Sequence, residues 1–369
     1  MAKAFGIITS SVEHKVPGMQ DYRPIGGFTF LGRYRVIDFP ISNFSNSGII
    51  NMQVYISSKP RSLAAHIGRG RHYNINSKRG RVQLLFPSEE RLNSVYNTNI
   101  QALYENLEYI KRQSQEYVVI APSCMVFKQD FNVFLQDHAA SGADISALYH
   151  KVHHAKSGYS TCHTYSIFDG KVVGMSLNLG DEDVRDISME TFVMKKSLLI
   201  DLIGEARAVS SMYNLADIIN AKLADLNVRA VEHTGYFGPI TSLKSYYDAN
   251  KQLLNPAKAA ELITPDWPIY TRTNDSCPSH FYDEAEVKNS LISNGCEIHG
   301  EVIDSVIGRG VVIEEGAVVK GCYVSAYTTI GKNVVLENQI VDKYVKITHE
   351  NVIKADAEDP GYIRYNDRL

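Results

Sequence analysis

Aliphatic residues recur at six-residue intervals near the end of this 369-residue chain: Ile307-Gly308, Ile313-Glu314 and Val319-Lys320, then Ile330-Gly331 and Leu336-Glu337 after a short phase shift. A period of six fits neither the 3.6 residues of an α-helical turn nor the two-residue alternation of an ordinary strand. It is the period of a parallel β-helix, in which each hexad forms one side of a triangular coil and buries its aliphatic at the turn of the wall. A short coil stack has open ends and flat faces, so packing on a neighbouring domain or subunit, and hence an oligomer, is expected.

The preceding chain has a different grammar. Short apolar, β-rich runs at 5–8, 52–57 and 117–120 alternate with helical segments such as 98–112, the order of an α/β domain with a mainly parallel sheet. Ligands of such sheets gather beyond the carboxyl ends of the strands, which directs attention to 9–11, 57–59 and 121–124. A further helix is predicted over 241–254, ending at Asn255-Pro256 because proline cannot continue it. The irregular stretch that follows, with Pro265, Pro268 and Pro278, reads as a linker. The predicted organisation is an α/β domain over 1–255, a linker over 256–286 and a β-helix over 287–369.

Composition narrows the class of function. A net charge of -3 gives no basic excess for non-specific nucleic-acid binding. No apolar run approaches the ~18 residues of a membrane span, and the N-terminus reads as a first strand rather than a signal peptide; neither nucleic acid nor membrane is an expected partner, and the cytoplasm is the expected compartment. Five cysteines without a CxxC pair predict reduced, buried thiols. His150, His153 and His154 fall in a strand-like run, whose alternation would keep them off a common face and argues against a metal site.

One segment, Gly32-Arg-Tyr-Arg-Val-Ile-Asp-Phe-Pro-Ile-Ser-Asn-Phe-Ser-Asn-Ser-Gly-Ile49, resembles the sugar-recognition segment of ADP-glucose pyrophosphorylases (glucose-1-phosphate adenylyltransferases) almost residue for residue. His66-Ile-Gly-Arg-Gly70, Trp267-Pro-Ile-Tyr270 and Asn289-Ser-Leu-Ile-Ser-Asn-Gly-Cys-Glu-Ile298 are similar to later motifs of that family and occur in its order. The resemblance spans nearly the whole chain and implies a Rossmann-like nucleotidyltransferase domain followed by a left-handed parallel β-helix of hexapeptide repeats. Within the first segment, Asp38, Ser42, Asn43, Asn46 and Ser47 offer short polar groups that suit sugar hydroxyls and helix capping equally well.

The family's reaction joins the adenylyl group of ATP to glucose 1-phosphate and depends on Mg²⁺ held by hard oxygen ligands. Matching Phe127-Lys-Gln-Asp130 to the family's Tyr-Lys-Met-Asp places Ser123-Cys124 where active members carry Gly-Asp. A thiol is soft and a poor Mg²⁺ ligand. In Tyr236-Phe-Gly-Pro-Ile-Thr-Ser, Pro239 takes the place of the second carboxylate. The glycine-rich nucleotide turn is replaced by a run without glycine until Gly18, the Gly-Thr-Ala-Asp element is missing around Asn97–101, and the sugar-phosphate Glu-Lys-Pro has no counterpart at 176–180.

Losing the cation site and the phosphate cradle together removes the main sources of transition-state charge stabilisation. The pattern resembles the GlgD-type regulatory subunit, for which the resemblance implies a catalytic ADP-glucose pyrophosphorylase partner in a mixed tetramer, with Mg²⁺ in the partner and no cofactor bound by this chain. Arg23, Arg33, Arg35, Lys59, Arg61, Arg69 and Arg71 form a dense basic stretch suited to a phosphorylated effector, or to a solvated face or subunit ion pairs. Two other readings stand beside this one. An active transferase would need displaced ligands such as Asp21 or Asp181, and a hexapeptide-repeat acyltransferase would need His299 or His349 as general base.

Overall fold

The computed structural model describes residues 2–10, 14–86, 98–210, 212–348 and 351–369. Ser11, Asn97 and His349 lie outside the described residues. The α/β domain contains β1 (Ala4–Thr9), β2 (Asn51–Tyr55), β3 (Arg81–Leu85), β4 (Tyr117–Pro122), β5 (Met125–Phe127), β6 (Ile145–Val152), β7 (His163–Phe168), β8 (Lys171–Leu177), β9 (Arg185–Lys195), β10 (Val228–Glu232) and β11 (Phe237–Pro239); the predicted runs at 5–8, 52–57 and 117–120 are β1, β2 and β4, with β2 ending at Tyr55 rather than at 57. All but β5 and β11 join one sheet in the order β3-β2-β1-β4-β9-β6-β10-β8-β7. The β3-β2-β1-β4 half is parallel, as predicted. The reversed strands β9 and β8 make the other half mixed.

The helices are α1 (Asp38–Asn46), α2 (Arg61–Ile67), α3 (Asn99–Glu105), α4 (Leu107–Lys111), α5 (Phe131–Ser141), α6 (Lys196–Val209), α7 (Leu215–Ala221), α8 (Leu243–Gln252) and α9 (Pro256–Leu262). The helix predicted over 98–112 breaks at Asn106, whose side chain donates to the Ala102 carbonyl at 3.0 Å and competes with the helical ladder. The stretch read as a linker from 256 is not irregular throughout. It opens with α9, since Pro256 needs no N–H at the first helical position and Asn255 caps the Ala257 amide.

The hexads build three five-stranded parallel sheets, the walls of a β-helix. Ile307, Ile313, Val319, Ile330 and Leu336 are all fully buried inside it. The first coil begins before the predicted boundary at 287, because His280–Phe281 already pairs with Glu297–Ile298. A short, mostly exposed strand of this kind shows no buried aliphatic pattern from which sequence could place it.

Close contacts weld the units. From α8, Tyr246 packs edge-on against Tyr323 with centroids 5.1 Å apart and donates to the Thr29 carbonyl, while Tyr247 donates to the Gly321 carbonyl across the seam. Gly32, at φ 66, approaches so closely that a Cβ would lie 2.7 Å from the Ile307 carbonyl oxygen. Val306, Tyr323 and Ile340 accordingly belong to the core of the α/β domain.

The polar residues of α1 tie the linker down. Asn43 donates to the Phe127 carbonyl and accepts from the Trp267 indole, both at 2.9 Å. Ser42 accepts from the Tyr270 amide at 2.9 Å, and Asn46 donates to the Pro268 carbonyl at 3.0 Å. Ser47 accepts from the Phe131 amide at 2.8 Å. Replacing Asn43 with alanine strands a buried carbonyl and a half-buried indole N–H, so Asn43→Ala should lose about 1–3 kcal/mol, read as a lower urea midpoint. An unchanged midpoint would show that the bridge contributes nothing.

Candidate functional site

The two positions matched to the family's metal carboxylates are brought together by a two-stranded ribbon. Strand β11 pairs antiparallel with β5, setting Pro239 opposite Met125, and the Ile240 amide donates to the Cys124 carbonyl at 2.8 Å. Cys124 is fully buried, and the Ser123 amide donates to the Thr9 carbonyl at the end of β1 at 2.8 Å. The ends of β1, β4 and β11 therefore meet where a doubly wound sheet holds its ligands. A proline ring and a buried thiol offer Mg²⁺ no hard oxygen there, so these residues do not fit the ion. Among the described residues, no group of three His, Cys, Asp or Glu side chains is placed to hold a metal.

The alternative carboxylates do not converge on this point. Asp181 is exposed and paired with Arg185 at 2.7 Å, and Asp21 is exposed on a 3-10 turn. In the 176–180 stretch, Asn178 donates to the Ala155, Gly158 and Tyr159 carbonyls and holds the 155–159 loop in place, while Leu179 points outward, 85% exposed. Gly18 (φ 81) does not face the end of β1; its α-carbon abuts the Tyr362 ring of the β-helix. The cleft at the end of β1, lined by Thr9, Ser10, Asn99, His163, Glu190 and Asn214, retains a volume of only about 20 Å³.

Strand β6 ends at Val152, and the chain then turns, so His150, His153 and His154 come to line one open cleft of about 580 Å³ with Phe237 and Tyr159. His299 stacks on Tyr282 at 3.5 Å.

The basic residues separate into two groups. Arg23 is buried at 5% exposure and pairs with Asp342 of the β-helix, whose carboxylate also accepts from the Lys343 amide and the Tyr362 hydroxyl. Arg23 is thus an interdomain strut, its charge matched by a carboxylate the sequence reading did not connect to it. Arg35 donates to the Ser62 carbonyl at 2.6 Å, and its amide donates to the buried Asp38, which also binds His66 and Tyr73, both at 2.6 Å. Asp38 is therefore a core anchor rather than an open hydrogen-bonding group.

Around this frame the β-helix contributes Arg309 and Lys343, which the sequence reading missed because they occupy connections between hexads. Burial pushes the Lys343 ammonium down to about 7, Arg35, Arg23 and Arg309 push it the same way, and Asp342 opposes them. Burial and then the neighbouring Arg33 also lower the Arg309 guanidinium. Such crowding of cations against so little negative charge is unfavourable unless an anion compensates it. Arg33 is exposed at the edge of this group; Lys59, Arg61, Arg69 and Arg71 are exposed and are not among the groups acting on Lys343.

Of the five cysteines, Cys277 is exposed and the other four are buried, with burial pushing the Cys322 thiol up to about 12. Thiolate is the reactive form. A colourimetric thiol reagent should therefore label one cysteine quickly in the native protein and the rest only on unfolding. Fast labelling of Cys124 would mean that the core beneath β5 and β11 is open.

Comparison with known proteins bears on both halves of this geometry. Residues 24–173 match the nucleotidyl transferase family model, and residues 278–365 match that of the GlmU-like C-terminal hexapeptide region. A glucose-1-phosphate adenylyltransferase of Fervidobacterium nodosum is 30% identical over 85% of this chain and 76% of its own length. One from Bacillus anthracis is 30% identical over 89% of this chain and 88% of its own. The glycogen biosynthesis protein GlgD of Bacillus subtilis is 28% identical over 97% of this chain and 95% of its own. Among the described residues, no helix is long and apolar enough to cross a membrane.

Proposed function

The chain belongs to the glucose-1-phosphate adenylyltransferase family, and from that premise we propose that it is a regulatory subunit that tunes a catalytic partner and contributes little or no turnover itself. The observation that carries this reading is the abutment of Cys124 and Pro239 at the joined ends of β1, β4 and β11. A reaction that depends on neutralising phosphate charge has no carboxylate there to recruit a cation. The near-full-length similarity to a protein named for glycogen biosynthesis supports the same assignment. The partner, a catalytic ADP-glucose pyrophosphorylase subunit in a mixed tetramer, would hold the Mg²⁺, and this chain would hold none.

The regulatory input is a phosphorylated metabolite bound at the interdomain seam, where Arg35, Arg309 and Lys343 supply charge and Arg33 stands at the rim. A dianion there would relieve the cation crowding and join the α/β domain to the β-helix.

ADP-glucose formation by the chain alone, by a catalytic homologue alone and by the two co-expressed tests the first claim. The expected result is silence from the chain alone together with a changed rate or effector response in the mixture; robust turnover by the chain alone would sink the proposal. The seam site has its own signature. Lys343 is largely deprotonated above its lowered pKa of about 7 and must be charged to hold an anion. Pyrophosphate binding should therefore take up a proton and tighten as pH falls from about 8.5 to about 6.5. Lys343→Met should weaken it about tenfold and abolish the proton uptake. Calorimetry in buffers of different ionisation enthalpy measures both, and proton-neutral binding would remove Lys343 from the site.

A further inference from the structure

At the cleft at the end of β1, the lining residues His163 and Glu190 meet a third side chain from a separate segment. His14, from the chain following β1, is buried, with Nδ1 3.2 Å from the Thr161 hydroxyl and Nε2 3.9 Å from Glu190 Oε1. On β7, His163 places Nδ1 3.7 Å from the same carboxylate oxygen. Glu190 sits at φ 46 in the irregular stretch of β9 between Ser188 and Phe192, its amide donating to the Ser188 hydroxyl at 3.1 Å. Left-handed backbone is unfavourable for a side-chain-bearing strand residue. Here it places the carboxylate between the histidines instead of along the strand's normal alternation.

We propose that His14, Glu190 and His163 form an acid-sensitive latch that holds the start of the segment at 14–22 beside the cleft, and that protonation of His14 releases it. The direction follows from the charges. Burial lowers the His14 imidazole below its ordinary 6.5; Glu190 opposes that shift and His163 adds to it, leaving the neutral form favoured in the closed state. Burial works against the Glu190 charge, but His163 and His14 more than offset it, so the carboxylate stays ionised. Among the described residues, Tyr165 on β7 is a further titratable group beside this cluster, and burial keeps it protonated. As pH falls below 6.5, a released His14 binds a proton more readily than a latched one, so acidification favours release. The latch is complete at neutral pH and weakens as pH falls from there.

The segment at 14–22 also rests on the β-helix, through Gly18 against Tyr362 and Tyr22 against Tyr365, with centroids 4.7 Å apart. Release at the cleft therefore reaches the same seam that carries Arg23 and Asp342. Amide hydrogen exchange of the full chain, corrected for the intrinsic pH dependence, tests the proposal. Protection over 14–22 should fall about tenfold or more between about pH 7.5 and about pH 5.5 while β4 stays protected. His14→Gln, which can still bond Thr161 but takes no proton, should lose the pH response. Glu190→Gln should lower protection over 14–22 at both pH values. Protection of 14–22 that ignores pH, an unaltered response in His14→Gln, or parallel loss of protection in β4 would each overturn the latch.

Discussion

The seam between the α/β domain and the β-helix depends on backbone meeting backbone at Gly32. With no Cβ there, the turn after Phe30 comes against the Ile307 carbonyl, and the tyrosines of α8 can reach Thr29 and Gly321. Once that distance is set, Arg23 falls opposite Asp342, and the connections carrying Arg309 and Lys343 face Arg35. A side chain at Gly32 would push the units apart and dissolve all three relationships together. The cation-rich seam is thus a consequence of packing, assembled from residues more than 270 positions apart in the chain.

The joined ends of β1, β4 and β11 keep a fixed geometry with no charge at Cys124 or Pro239. The ribbon of β5 and β11 still registers Pro239 against Met125, and the turn after β4 still meets the end of β1. Backbone hydrogen bonds impose this arrangement and are indifferent to side-chain chemistry. The buried thiol needs no counter-charge and the proline needs no donor, so neither leaves a desolvated charge in the core. The cleft beside them is lined by Glu190 and His163, which His14 approaches from the segment after β1.

The segment that resembles the family's sugar-recognition element has a structural meaning in three dimensions. Ser42, Asn43 and Asn46 satisfy Trp267, Pro268 and Tyr270, so two motifs separated by more than 220 residues are halves of one hydrogen-bonded joint. Their short polar side chains were legible in the sequence, but their partners were not, because a carboxamide suits a sugar hydroxyl as well as a backbone carbonyl. Asp38 shows the same ambiguity, resolved by His66 and Tyr73, which close over it in the core. His150 lies within β6 while His153 and His154 follow its end, and a strand end of that kind is set by tertiary packing.

Taken by itself, the sequence determined the order and type of the units. Hexad periodicity compels a coil, short apolar runs between helices compel an α/β sheet, and the identities of Cys124 and Pro239 fix what those positions can bind. Local patterning carries that information because side-chain period and ligand chemistry are properties of a few consecutive residues. Tertiary structure decided which charges meet: Arg23 with Asp342, Lys343 with Arg35 and Arg309, and Glu190 with His14 and His163. Each pairing depends on how far apart two surfaces settle, and that distance is set by the shape and volume of everything packed between them.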